Sequence, residues 1–406
     1  MIKKTIIAIG FSFILIIVTT CSSAKGFDTP RINVHLNEVI IVYEPSRPDD
    51  FDYLYYQIID KNGNSIIEES TISEITYDAT GSGWIDYDVC SSGICHYVIY
   101  PLPQVENNLP KRSNIHFSKI SSDGVFEDVK ITDFNDEHCW GPKGICDDVG
   151  NLYIIFTKSH SGDGIYFSKI DVNDNIIIDS KKIIGGPNGY SPIDLKCSDN
   201  ELYMHITAPG ENYYSNHLYI KLDFEGNTVI NATPLEEAVE IPGHPVVSND
   251  NSGLIYLGEN GVVDSLNNAH ILNTGTKPHD NSEQEDAILL YSKINQQGNQ
   301  LFENITIAVY EMKSEDEYYP AMFDPQITID SFDNLHIVWH LKDANSHSTI
   351  WYEKLDRNGN VLIPPKMIAG ETEKKESASN FELILAIFLL IFIFVIMAIA
   401  FRKKKK

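Results

Sequence analysis

Arginine is scarce in this chain: five in 406 residues, at positions 31, 47, 112, 357 and 402. Basic charge as a whole is outweighed, with 31 Lys+Arg against 57 Asp+Glu and a formal net charge of −26. Such a surface repels phosphate backbones and anionic bilayers, which excludes nucleic acid as a partner. Cysteine is also sparse, six in all, and no Cys-x-x-Cys occurs, so a structural zinc site has no ligand spacing to use and no metal is expected. Gly-x-Ser-x-Gly and phosphate-loop motifs are absent, and with them any sign of a cofactor. No stretch between the two ends shows a long helical period.

The ends are the apolar parts. Lys3 and Lys4 precede an apolar run from Ile6 to Val18, then small residues, with Ser22 and Ala24 placed for cleavage before Lys25. Residues 1–24 therefore read as a secretory signal peptide. Leu383–Phe401 is an unbroken apolar run of 19 residues. As a helix it would span about 28 Å, close to the hydrocarbon thickness of a bilayer. Arg402–Lys406 follows at once and marks the cytoplasmic side. The expected layout is a leader (1–24), an extracellular domain (30–369), a linker (370–380), a transmembrane helix (381–401) and a basic tail (402–406). Residues 26–380 carry 23 Lys+Arg and 56 Asp+Glu, a net charge of 23 − 56 = −33.

Cysteine placement agrees with export. Cys90 and Cys95, and Cys139 and Cys146, lie close enough in sequence to suggest local disulfides, leaving Cys197 over; spacing does not settle connectivity.

Internal repetition organises everything between the ends. Tyr56, Phe117, Phe167, Tyr219, Tyr291 and Tyr352 each stand two residues before a shared register position, which is Lys in five of six cases (Lys119, Lys169, Lys221, Lys293, Lys354) and Ile58 in the other. An aliphatic residue follows, and then a turn bearing Gly63, Gly124, Asp174, Gly226, Gly298 or Gly359. Upstream of each lies an apolar run such as "VIIVYE" or "LHIVWH", and Pro30, Pro142, Pro192, Pro245 and Pro325 precede five of the runs. Each unit reads as a four-stranded meander: A after the proline, B the apolar run, C ending in aromatic-x-Lys, D after the turn. Pro suits the first residue of strand A, where no ladder donor is needed. Units start near 30, 85, 142, 192, 245 and 325.

These repeats resemble the β-propeller repeats of bacterial and archaeal cell-surface proteins over residues 30–369. The resemblance implies an all-β propeller of six four-stranded blades, plus the C-terminal transmembrane helix. A seventh, degenerate blade is the alternative count, because "VVDSLNNAHILN" echoes "ITIDSFDNLHIVW". The C-terminal tail resembles archaeal sorting tails of the archaeosortase type through Phe381 and Glu382, with Ser379-Asn380 where those tails carry Pro-Gly.

Asp-x-Asn-x-Asn at Asp356, Asn358 and Asn360 raises the question of calcium. An EF-type loop needs a bidentate Glu at its twelfth position, and Met367 stands there. A tight hairpin turn accounts for the Asp, Asn and Gly together. With short C–D turns and long, dissimilar B–C loops (101–113 and 259–288 among them), binding is expected on the B–C face. Candidate ligand-binding residues there are Arg47, Lys111, Arg112, Trp140, Tyr213 and Tyr214. Two sequons, at Asn231 and Asn304, fall on strand D and are glycosylation candidates.

Sialidases use six-bladed propellers but hold a carboxylate with three arginines, and the candidates here, Arg31, Arg47, Arg112 and Arg357, cannot all share one face. Their Ser-x-Asp-x-Gly-x-Thr-Trp box is missing as well. The expected function is a membrane-anchored cell-surface propeller that binds a protein or carbohydrate without catalysis. The alternatives are an extracellular glycan hydrolase or lyase, or a surface-coat component.

Overall fold

The computed structural model describes residues 27–370 except 46–51, 76–85, 94, 107–108, 135–137, 160–163, 186–188, 199, 210–214, 235–245, 249–253, 257–259, 279–284, 296–298, 312–320 and 343–347. The expected leader, transmembrane helix and sorting tail lie outside the described residues. Within them, no helix is long and apolar enough to cross a membrane.

Six antiparallel sheets of four strands follow one another, each paired in simple sequence order. Blade 1 is β1 (Phe27–His35), β2 (Glu38–Pro45), β3 (Asp52–Asp60) and β4 (Ser65–Ile75). Blade 2 is β5 (Asp88–Ser92), β6 (Cys95–Glu106), β7 (Leu109–Ser121) and β8 (Gly124–Lys130). Blade 3 is β9 (His138–Cys146), β10 (Leu152–Ser159), β11 (Gly164–Ile170) and β12 (Ile176–Ile184). Blade 4 is β13 (Ser191–Ser198), β14 (Glu201–Pro209), β15 (Ser215–Asp223) and β16 (Thr228–Pro234). A two-stranded ribbon, β17 (Val246–Ser248) with β18 (Leu254–Tyr256), comes next. Blade 5 is β19 (Gly261–Val263), β20 (Ala269–Pro278), β21 (Glu285–Ile294) and β22 (Gln300–Tyr310). Blade 6 is β23 (Ala321–Ile329), β24 (Leu335–Lys342), β25 (Ser348–Leu355) and β26 (Val361–Ala369).

The apolar runs are unbroken because strand B is buried on both faces. On β2, Val39, Ile41 and Tyr43 join Val338, Ile350 and Tyr352 of blade 6, while Ile40 and Val42 join Val98 and Tyr100 of blade 2. On β10, Leu152, Ile154 and Phe156 face blade 2 and Tyr153 and Ile155 face blade 4. The hydrophobic core is thus a series of seams between blades. Blade 1 packs against β23, β24 and β25, so the last blade meets the first and the sheets form a ring. This is a β-propeller. Strand D is outermost, and β12 and β16 alternate exposed and half-buried residues accordingly.

The repeat motif builds these seams. In five of the six blades the repeat aromatic faces the following blade: Tyr56 packs towards blade 2, Phe117 towards blade 3, Phe167 towards blade 4, Tyr291 towards blade 6, and Tyr352 towards blade 1. The lysine reaches the following blade's C–D turn. Lys119 Nζ donates to Asp174 (2.9 Å), Lys169 to Glu225 (2.7 Å) and Lys293 to the Arg357 carbonyl (2.8 Å). Lys221 of blade 4 instead pairs with Glu201 of its own sheet, at the point where the ribbon interrupts the series (2.5 Å).

In the turns, one Asp carboxylate is filled by its own hairpin. Asp356 Oδ1 accepts from the Asn358 and Asn360 amides and Oδ2 from the Asn360 side chain, and Gly359 takes φ +81°. Asp60, Asp171 and Asp223 repeat the arrangement. Those oxygens serve the backbone of a tight turn, which is the reading the Asp-x-Asn-x-Asn string favoured.

Two expectations change. The four-stranded sheet of the fifth unit begins at Gly261, not near 245, and the stretch 259–288 holds β19 and β20 rather than a loop. "VVDSLNNAHILN" is the A–B hairpin of blade 5; the incomplete unit is the ribbon before it. The stretch 101–113 is likewise not a loop, since β6 and β7 pair out to Glu106↔Leu109.

Candidate functional site

The innermost strands β1, β5, β9, β13, β19 and β23 line a central channel, which opens at one end into a cavity of about 590 Å³. The wall is set by a repeated irregularity. Register slips in β1 between Asp28 and Arg31, in β13 between Pro192 and Asp194, and in β23 between Phe323 and Gln326. β9 carries the same bulge around Gly141. Each bulge contains the repeat proline, Pro30, Pro142, Pro192 or Pro325. Pro cannot donate to the ladder, so a bulge inside the strand accommodates it, rather than the strand's first position. The residue after the proline then lines the channel: Arg31, Lys143, Ile193 and Gln326.

Three bulges place a residue in the left-handed region: Thr29 at φ 44°, Gly141 at 59° and Asp324 at 46°. For Thr29 and Asp324 this conformation is strained, and such strain collects at functional sites. Asp324 and Asp86 are exposed at the cavity, with Trp140 half-buried beside them. His205, buried on β14, contributes from the next strand out, and its Nε2 lies 2.8 Å from His217 Nδ1.

Deeper in the channel, Asp88 Oδ2 accepts a 2.8 Å hydrogen bond from the Gly144 amide. Burial raises the Asp88 carboxyl above its usual range, and Lys143, the Gly144 N–H and Arg31 pull against that rise. Asp194 sits close by, ion-paired with Lys196 at 3.1 Å. The channel and its mouth together offer an aromatic platform, carboxyl groups in unlike surroundings, two cations and the His205 imidazole, itself bonded to His217. That set can bind a sugar, neutralise an acidic substituent and move a proton.

Of the candidate ligand residues, Trp140 lies in this cavity, near the start of β9. Lys111 and Arg112 stand on strand β7, Arg112 opposite Gln104, and not on a loop. Arg47, Tyr213 and Tyr214 lie outside the described residues. Arg31, Asp88, Lys143 and Asp324 were not among the candidates, though the repeated proline marks three of them. Arg357 is exposed in the C–D turn, with its Nη1 3.8 Å from Asp333. Asn231 and Asn304 are both exposed on outermost strands.

The expected local disulfides are not formed; none of the five described cysteines is disulfide-bonded. Cys139 and Cys146 lie at opposite ends of β9, roughly 20 Å apart at ~3.3 Å per residue. Cys90 is opposite Tyr97 and Cys95 opposite Ser92, a diagonal of about 7–8 Å where a disulfide needs adjacent Cβ atoms.

The sequence matches no protein-family profile, and a search of curated proteins returns no relative. The fold is similar to Trypanosoma rangeli sialidase in complex with the inhibitor DANA, at 11% identity and TM-score 0.47, over 81% of this chain and 55% of that one. The chain thus spans about half the length of the sialidase it matches. It is similar also to a polysaccharide lyase of family PL25, an ulvan lyase, at 9% identity and TM-score 0.43, covering 86% of each chain. A third is a xylan β-1,4-xylosidase from Bacillus halodurans C-125, at 11% identity and TM-score 0.36, over 87% of this chain and 85% of that one. These likenesses concern the fold. All three proteins act on glycans, which runs against the expectation of a binder without catalysis.

Proposed function

We propose that this chain is an extracellular glycan-active enzyme, a hydrolase or lyase, working at the channel mouth. The supporting observation is the cavity itself, which gathers Trp140, Asp86, Asp324, Arg31, Lys143 and His205 from five blades. Trp140 offers a flat apolar face to a sugar ring. In a hydrolase, Asp88, the carboxyl raised by burial, protonates the leaving oxygen, and Asp86 or Asp324 serves as base or nucleophile. In a lyase, Arg31 and Lys143 neutralise a uronate carboxylate while the His205–His217 pair takes the adjacent proton.

The test is turnover of a panel of neutral and acidic polysaccharides, reading new reducing ends for hydrolysis and ultraviolet absorbance of an unsaturated product for elimination. Asp88→Asn and Trp140→Ala should each cut turnover by ~100-fold or more with an unchanged melting temperature. No turnover on any member of the panel by the folded protein overturns the proposal.

The proposed address is the outer surface, with residues 381–401 as anchor and 1–24 as leader, on the strength of their apolar runs and flanking cations. Deleting 381–406 should release a folded domain into the medium. Retention in the membrane fraction would refute that anchor.

A further inference from the structure

Cys90 and Cys146 come from the innermost strands of neighbouring blades, β5 and β9, yet their sulfurs lie 3.2 Å apart. A disulfide needs about 2.05 Å, so the pair must close by roughly 1 Å. The same two strands are already tied by the Gly144 amide to Asp88 Oδ2, two residues from each cysteine, which limits how far they can part.

We propose that Cys90 and Cys146 form an interblade disulfide when the protein meets a small-molecule disulfide, crosslinking blades 2 and 3 along the channel wall. Cys90 is fully buried and Cys146 half-buried, which sets the order of events. The Cys146 thiolate attacks one sulfur of the oxidant, forming a mixed disulfide and expelling one small thiolate. Cys90 then loses its proton and attacks Cys146 Sγ, breaking the mixed disulfide and releasing the second thiolate. Two protein thiols lose two electrons in total, and one small disulfide becomes two small thiols. Burial raises the Cys90 thiol well above its ordinary range, in keeping with its role as the second, proximity-driven nucleophile.

The pairing differs from both local pairs the sequence suggests, and it acts on the site's own framework. Asp88 and Lys143 ride on β5 and β9, so the crosslink fixes their separation. It stands whether or not the channel turns over glycans.

The experiment is a peptide map of the full chain treated with glutathione disulfide, with remaining thiols alkylated after denaturation. A linked peptide pair bearing Cys90 and Cys146 is expected, with Cys95, Cys139 and Cys197 alkylated. The melting temperature should rise by several degrees on oxidation and return with dithiothreitol. Cys90→Ser should leave Cys146 as a stable glutathione adduct. Cys146 joined to Cys95 or Cys197, a glutathione adduct on Cys146 in the unaltered chain, or Cys90 and Cys146 both alkylated would each overturn the proposal. The map on the unaltered chain decides the matter even if the variant fails to fold.

Discussion

Lys354 Nζ donates a 3.2 Å hydrogen bond to the backbone carbonyl of Lys61, so the last blade's repeat lysine ends in the first blade's turn. The same ammonium lies 3.3 Å from Asp330 Oδ2, and both side chains are almost fully buried. Lys366 adds a 2.7 Å bond to the Gly63 carbonyl. The ring is closed by the repeat lysine of blade 6 together with Lys366, and each described blade keeps its own four strands.

Lys354→Met should therefore cost on the order of 3 kcal/mol, because it leaves Asp330 buried without its cation. Lys169→Met is the control, since its partner Glu225 is mostly exposed; the loss there should stay within about 1 kcal/mol. Urea unfolding of the two variants measures the difference. Equal losses would mean that closure of the ring is not a special seam.

Turn glycines differ in what a methyl group would meet. At Gly226 an added Cβ would lie 2.5 Å from Phe167 Cδ1, and at Gly63 3.4 Å from Ile363 Cδ1, both at positive φ. Each Ala substitution pays strain of about 1 kcal/mol. Gly226→Ala should lose about 1–3 kcal/mol more through overpacking against the neighbouring blade. Thermal melts that rank the two in the opposite order would refute the seam geometry.

His270 and His336 form twin buried networks. Each Nε2–H donates to an Asp carboxylate, Asp264 at 3.1 Å and Asp330 at 3.2 Å, and each Nδ1 accepts from a repeat tyrosine, Tyr291 at 2.7 Å and Tyr352 at 2.9 Å. Burial pushes His270 down to about 4 against the pull of Asp264, and His336 is lowered by the same cause. A depressed histidine contributes stability that is whole above the unfolded value near 6.5 and is lost as pH falls towards the folded value. The His270 imidazole should stay neutral at pH 5.5 by nitrogen-correlated NMR. An imidazolium there at that pH would contradict the network.

Glu353 is fully buried between blades 5 and 6, opposite Ile337, and neither carboxyl oxygen has a hydrogen-bond partner among the described residues. Burial pushes its carboxyl up to about 8. A raised carboxyl favours the fold below the unfolded value near 4.5 and loses that contribution as pH rises through the folded value. Glu353→Gln should gain on the wild type by on the order of 1 kcal/mol per pH unit between 4.5 and 8. Parallel denaturation curves across that range, with no widening gap, would show a partner for the acid.

Spacing alone was enough to find the repeat, because most blades present an aromatic and a cation to the next one, and a fixed register is how a chain repeats that arrangement. The B strands were legible for a related reason: burial on both faces leaves no polar position to interrupt "VIIVY" or "LYIIF". The fifth unit misled the reading because Leu254–Tyr256 looks like a B strand but, among the described residues, pairs only with Val246–Ser248, while Gly261–Val263 is too short to show alternation.

The channel site was harder to read. Arg31, Asp88, Lys143 and Asp324 are far apart in sequence, and no spacing rule connects them. Their meeting depends on bulges that turn the residue after each proline inward and on ring closure that sets blade 6 beside blade 1. The cysteines make the same point on a smaller scale: nearness along the chain suggested Cys139 with Cys146, but an extended strand carries them apart and a neighbouring blade brings Cys90 to 3.2 Å. Local sequence determined the blades, because strand period and turn chemistry are decided within a few residues. Only the tertiary structure decided which side chains share the channel, because their contacts depend on how separate blades pack.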